Sequence, residues 1–193
     1  MNVIDIEAYR TTTAGQRHLM AGRFEDSIHA FNEAMKNDQQ SENYSAFLSR
    51  GVAHMMIKEY QKASQDFTQA LDHKYDSARA WFYRGLTHKM LGRLQRAMSD
   101  FSKAIEYDVN YGAAYLERAQ LHDDNNHNEL ARYDSEAALR ISEANRKSGM
   151  DFHGMTTTAS DRVAAMMHGE AKAPTLYVND AEMAELRNQY QLS

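Results

Sequence analysis

The sequence predicts an all-α fold, a solenoid of stacked antiparallel helix pairs, and three observations carry that prediction. Composition is the first: of 193 residues, 27 are Ala against 11 Val plus Ile, with a single Pro, which favours helix over sheet. The second is a repeat: segments opening at Phe47, Trp81 and Tyr115 align without a gap at a spacing of 34 residues. Third, apolar residues within each unit recur at three- and four-residue spacing in two runs separated by a short turn, the pattern of two amphipathic helices. One such pair cannot bury its apolar face alone, so these units come in series of three or more.

The first copy places Gly15, His18, Phe24, Phe31 and Ala34 in the common frame, with a turn at Gly22. From Gly15 to Gly51 is 36 residues, so the polar stretch 37–43 absorbs an insertion. The second unit carries Phe47, Arg50, Gly51, His54, a turn at Lys58-Glu59, then Ala63, Asp66 and Ala70-Leu71. Trp81, Arg84, Gly85, His88, Gly92-Arg93, Ala97, Asp100 and Ala104-Ile105 repeat the pattern in the third. In the fourth the same positions hold Tyr115, Arg118, Ala119, His122, a turn at Asp124–Asn126, Ala131, Asp134 and Ala138-Leu139. The small residues let paired helices approach closely, and the opening aromatics fill the space where pairs stack. The units span about 8–43, 44–77, 78–111 and 112–145, forming a repeat domain over 1–148.

Beyond it, Gly149 and Gly154 end the last helix near Arg146 to Ser148. The C-terminal segment 149–193 is expected to hold two short helices, one capped by Ser160-Asp161 and ending at Gly169, the other capped by Asn179 or Asp180. A terminal repeat exposes an apolar face that must be covered. Val163, Met166 and Met167, or Leu176, Tyr177, Met183 and Leu186, can do so. The alternative is that the tail enters a groove, its own or a neighbour's, giving self-association through the C-terminal tail.

Arg50, Arg84 and Arg118 precede Asp66, Asp100 and Asp134 by 16 residues, one on each helix of a pair. Unit one has Ala14 and Ala30 at both positions. Their joint absence marks a structural ion pair, because a partly buried charge without its mate is costly. The column His18, His54, His88 and His122 is read as packed or capping histidines. Equivalent residues of successive units lie too far apart to share a zinc ion, whose bonds to nitrogen are about 2.0 to 2.1 Å.

Several functions are excluded at this level. The net charge of −5 and pI near 6.0 provide no electrostatic footprint for nucleic acid. No apolar run approaches the roughly 18 residues of a membrane span, and the N-terminus lacks a signal-peptide core, so no membrane contact and a cytoplasmic location are expected. With no Cys there is no disulfide framework or thiol nucleophile. The chain has no HExxH, GxSxG, P-loop or dinucleotide fingerprint. No catalytic residue, metal ligand or cofactor is therefore assigned.

The period, the small residues, the turn and the later Ala, aromatic and Ala-Leu positions resemble the tetratricopeptide repeat (TPR) family over about 8–141. Gln39, Tyr75 and Val109 stand where the family commonly has Pro, and Ser135 stands where an aromatic is typical. The resemblance implies a right-handed superhelix whose first helices line a concave groove, and a non-enzymatic scaffold or adaptor for a protein or peptide segment. It assigns Leu19 and Met20, then Leu48, Val52, Met55 and Met56, then Arg79, Phe82, Leu86, Lys89 and Met90, and finally Leu116 to that groove. Tyr9, Thr12, Gln16, Ser45, Ala113, Gln120, Asp123 and Asp124 complete it. Its middle is apolar and rich in adaptable Met, so the expected guest is apolar or amphipathic. Some family members grip a C-terminal carboxylate with Lys and Asn. Here Thr12, Gln16, Ser49 and Tyr83 hold most of those positions and only Arg79 is basic, which disfavours that mode. Two alternatives stand beside the scaffold: an export or assembly chaperone shielding a hydrophobic client, and an enzyme around His153 and His168, which has only isolated histidines behind it.

Overall fold

The computed structural model describes residues 13–37 and 44–147. These residues contain helix throughout and no strand. Helix α1 covers 13–20, followed by α2 (Phe24–Asn37), α3 (Tyr44–Met56), α4 (Tyr60–His73), α5 (Ala78–Met90), α6 (Leu94–Tyr107), α7 (Gly112–Asp124) and α8 (Asn128–Lys147). Sequential helices pack as hairpins, and each hairpin packs on the next through α2 on α3, α4 on α5 and α6 on α7. Because α3 also touches α5, the first helices lie on the inside of the curve. Tyr9, Thr12 and the segment 149–193 lie outside the described residues.

One turn closes all four hairpins. Gly22, Lys58, Gly92 and Asn126 occupy the same register position, and all have positive φ, between 59° and 71°. The amide of each bonds back three residues, to the carbonyls of Leu19, Met55, Lys89 and Asp123. The next amide bonds back five, to those of His18, His54, His88 and His122, at 2.8 to 2.9 Å. This pairing is the Schellman motif, which satisfies carbonyls left open at a helix end.

Between the two helices of a pair, an aromatic ring lies on a glycine. A Cβ placed on Gly15, Gly51 or Gly85 would come within 2.9, 2.8 or 2.7 Å of the rings of Phe31, Phe67 or Phe101. Those three rings are fully buried, each burial stabilising the fold by about 1.5 to 3 kcal/mol. In unit four, Ser135 replaces the ring and Ala119 replaces the glycine, and both are buried. Without the ring, there is room for the extra methyl.

Candidate functional site

Three Arg residues on the first helices tie together the two helices of units two, three and four. Arg50 donates from Nε and Nη2 to the two Asp66 carboxylate oxygens at 2.9 and 2.6 Å. Arg84 grips Asp100 at 3.0 and 2.8 Å, and Arg118 grips Asp134 at 2.7 and 2.7 Å. The bidentate fork is the strong form of this pair. Each guanidinium also stacks over the aromatic three residues earlier, Arg84 over Trp81 at 4.5 Å, Arg50 over Phe47 and Arg118 over Tyr115 at 5.6 Å. The remaining Nη1 reaches into the preceding unit, to Asn32, Thr68 and Ser102. Those partners lie 18, 16 and 16 residues upstream, so the insertion before Tyr44 leaves the inter-unit bond intact. These three guanidinium groups are structural.

The histidine column is built into the same network. His54 Nδ1 lies 2.6 Å from Glu59 Oε2, and His88 bridges Asp100 at 2.9 Å and Ser64 of the preceding unit at 3.3 Å. His122 Nε2 stands 3.9 Å from Asp134, while its Nδ1 is buried without a hydrogen bond. Burial pushes the pKa of His54 and His122 down, against the pull of the acidic neighbours. Among the described residues no cluster of His, Asp and Glu could hold a metal ion.

The inner face differs from its sequence reading at five positions. Leu19, Leu48, Val52, Phe82 and Ala113 are 0, 4, 1, 1 and 2 % exposed, so they are core and not an open contact surface. Phe82 packs between Tyr111 at 5.0 Å, Tyr83 at 5.6 Å and Phe101 at 5.8 Å. The first helix of a unit must meet its own partner and two neighbouring units, so its buried arc is wider than one apolar stripe. Lys89 is also engaged, donating to Glu117 at 2.8 Å and to Gln120 at 3.1 Å across α5 and α7.

What faces outward is a ladder of methionines. Met20, Met56 and Met90 occupy one position, just before the turn, in three successive units, and Asp124 follows them in the fourth. Met90 is 58 % exposed and Met20 36 %, while Met55, Met56, Leu86 and Leu116 are half-buried. Arg79 is half-buried near the start of α5 and acts electrostatically on Tyr83 and Tyr111. Sequence reasoning missed those two tyrosines as core. Both are fully buried with hydroxyls lacking a hydrogen bond, and burial raises their pKa far above the ordinary value. No signal in the repeat pattern marks them, because neither position recurs as Tyr in other units.

A stack of helix hairpins with a common turn, a ring-on-glycine contact and an inward row of first helices defines a helical-repeat solenoid. The chain is a tetratricopeptide repeat protein: family models described as tetratricopeptide repeat match residues 12–66 and 78–111. No curated protein matches the sequence. Among solved structures, MamA is similar with a TM-score of 0.69 and 21 % identity, covering 72 % of this chain and 81 % of that one. YrrB, a TPR protein with an unusual peptide-binding site, is similar with a TM-score of 0.63 and 19 % identity, covering 69 % and 68 %. The first TPR domain of Spaghetti (RPAP3), bound to an HSP90 peptide, has a TM-score of 0.57 and 20 % identity, covering 61 % and 92 %. These likenesses establish the all-α TPR solenoid. Among the described residues, no helix is long and apolar enough to cross a membrane.

Proposed function

We propose that the protein is a non-enzymatic interaction scaffold that holds an apolar or amphipathic protein segment along its inner face. The observation that supports this reading is the methionine ladder: an unbranched apolar side chain at one position of three successive units, exposed at Met20 and Met90 and half-buried at Met56. Met side chains repack around different guests at little cost, which suits a surface that contacts a segment without charge recognition. Met55, Leu86 and Leu116 widen the strip, and the buried Leu19, Leu48, Val52 and Phe82 form its rigid floor. Arg79 sits at its edge; Lys89, tied to Glu117, stiffens the wall instead of binding a guest. That structurally similar TPR proteins bind peptides supports a protein or peptide segment as the guest. Four or five anchors of about 1.5 to 3 kcal/mol each gain roughly 6 to 15 kcal/mol, and the cost of association and ordering takes back much of that, leaving affinity in about the micromolar range. A cytoplasmic setting is part of this proposal.

Selection from a displayed library of random twelve-residue peptides tests it. The expected result is enrichment of apolar or amphipathic sequences, with at least tenfold loss of affinity in Met90→Glu and Met20→Glu and unchanged melting, since both side chains are exposed. Undiminished binding in both variants would put the contact surface elsewhere.

A further inference from the structure

The outer face of α8 departs from the rule that the other units obey. Leu130 stands where units one to three have Asp26, Lys62 and Arg96, and Tyr133 where they have His29, Gln65 and Ser99. All six of those polar residues are exposed. Leu130 and Tyr133 are exposed as well, at 52 and 61 %. One turn further on, Ala137 replaces Glu33, Gln69 and Lys103. Two exposed apolar side chains at i and i+3, with the buried Ala137 one turn beyond them, thus give α8 a second apolar stripe that α2, α4 and α6 lack. The strip between α2 and α4 forms an open cleft of about 450 Å³ lined by such residues as Glu25, Lys62 and Gln65. At the positions that correspond to Ile28, Lys62 and Gln65 of that cleft, α6 and α8 carry Met98, Leu130 and Tyr133.

We propose that this stripe is the docking site of the chain's own C-terminal segment, with Val163, Met166 and Met167 as the contacting side chains. The chain continues for 46 residues beyond Lys147, where α8 ends. From Lys147 back to Tyr133 is about 21 Å along the helix, and to Leu130 about 26 Å, at 1.5 Å per residue. Residues 148–162 can span about 50 Å when extended, enough to turn and come back along α8. The residues that follow them, Val163, Met166 and Met167, are spaced i, i+3 and i+4, which presents one apolar face. Leu176 to Leu186 could reach the same place, but only by closing a longer loop at greater entropic cost. The stripe also lies only on the last unit, the one joined directly to this segment. This inference stands apart from the inner-face reading, because it concerns the opposite side of the solenoid.

Site-specific photocrosslinking in the full-length chain tests it. With p-benzoylphenylalanine in place of Tyr133, irradiation at low concentration is expected to join that position to residues 161–169 within one chain. The same group in place of Gln65 is the control and is expected to give no such product. Separately, Leu130→Glu/Tyr133→Glu is expected to speed tryptic cleavage after Arg162 and Lys172 several-fold, with the melting of the solenoid unchanged. Crosslinks that join two chains would assign the stripe to a second copy and overturn the proposal. Crosslinks no stronger than the Gln65 control, or unchanged cleavage, would overturn it too.

Discussion

At the scale of single residues, the tightest constraint is the contact of Phe31, Phe67 and Phe101 with Gly15, Gly51 and Gly85. In Gly85→Ala the new methyl would sit 2.7 Å from the Phe101 ring, so ring or backbone must shift. Such overpacking costs about 1 to 3 kcal/mol, and the loss is expected in chemical denaturation. In a Phe101→Ser background, the same Gly85→Ala change is expected to cost nothing, or to gain the helix propensity of about 1 kcal/mol that Ala has over Gly. The resulting coupling in a double-mutant cycle is expected to be on the order of 1 to 3 kcal/mol. Additive effects would show that the ring does not hold the glycine in place. Unit four supplies the natural counterpart, since Ala119 and Ser135 changed together. Both halves of that exchange are visible as letters, but the link between them is a distance.

Among the elements, the hairpin turn imposes a left-handed residue whatever its identity. Gly22 and Gly92 adopt it freely, Asn126 tolerates it, and Lys58 at φ 64° bears the steric penalty of its Cβ. Gly92→Ala is expected to destabilise by about 1 kcal/mol, read as a lower denaturant midpoint with unchanged slope. Lys58→Gly is expected to shift the midpoint the other way by less, because glycine also adds freedom to the unfolded chain. A neutral Gly92→Ala would mean that the turn relaxes into a different geometry.

For the whole molecule, the Arg, Asp and His columns join units into one cooperative stack, and this predicts the response to pH. The folded-state pKa values of His54 and His122 are lowered, chiefly by burial. The unfolded chain therefore binds more protons near the ordinary histidine value of about 6.5, and stability rises with pH through that region. Their contribution is present in full above about pH 6.5 and is lost as pH falls below it toward the depressed folded values. Urea midpoints between pH 7.5 and 5.5 are expected to fall, and less steeply in His54→Gln. A rise on acidification would show that attraction to Glu59, Asp66 and Asp134 outweighs burial.

The helices, their pairing, the turn and the Arg–Asp partnership were all readable from the sequence, because each repeats at a constant offset along the chain. A column that recurs every 34 residues, such as Arg84 with Arg118, reports one environment met again. The direction in which a first-helix side chain faces was not readable at that level. Leu48, Val52 and Phe82 look like groove residues in a single helix, and they become core only because neighbouring hairpins close over them. Met90, four residues beyond Leu86 on the same helix, stays exposed because it stands where the hairpin turns. Local pattern decides which segments form helices and where they end, since that depends on neighbours in the chain. The stacking angle between hairpins decides how wide an arc of each helix is buried, and no run of letters within one unit contains that angle.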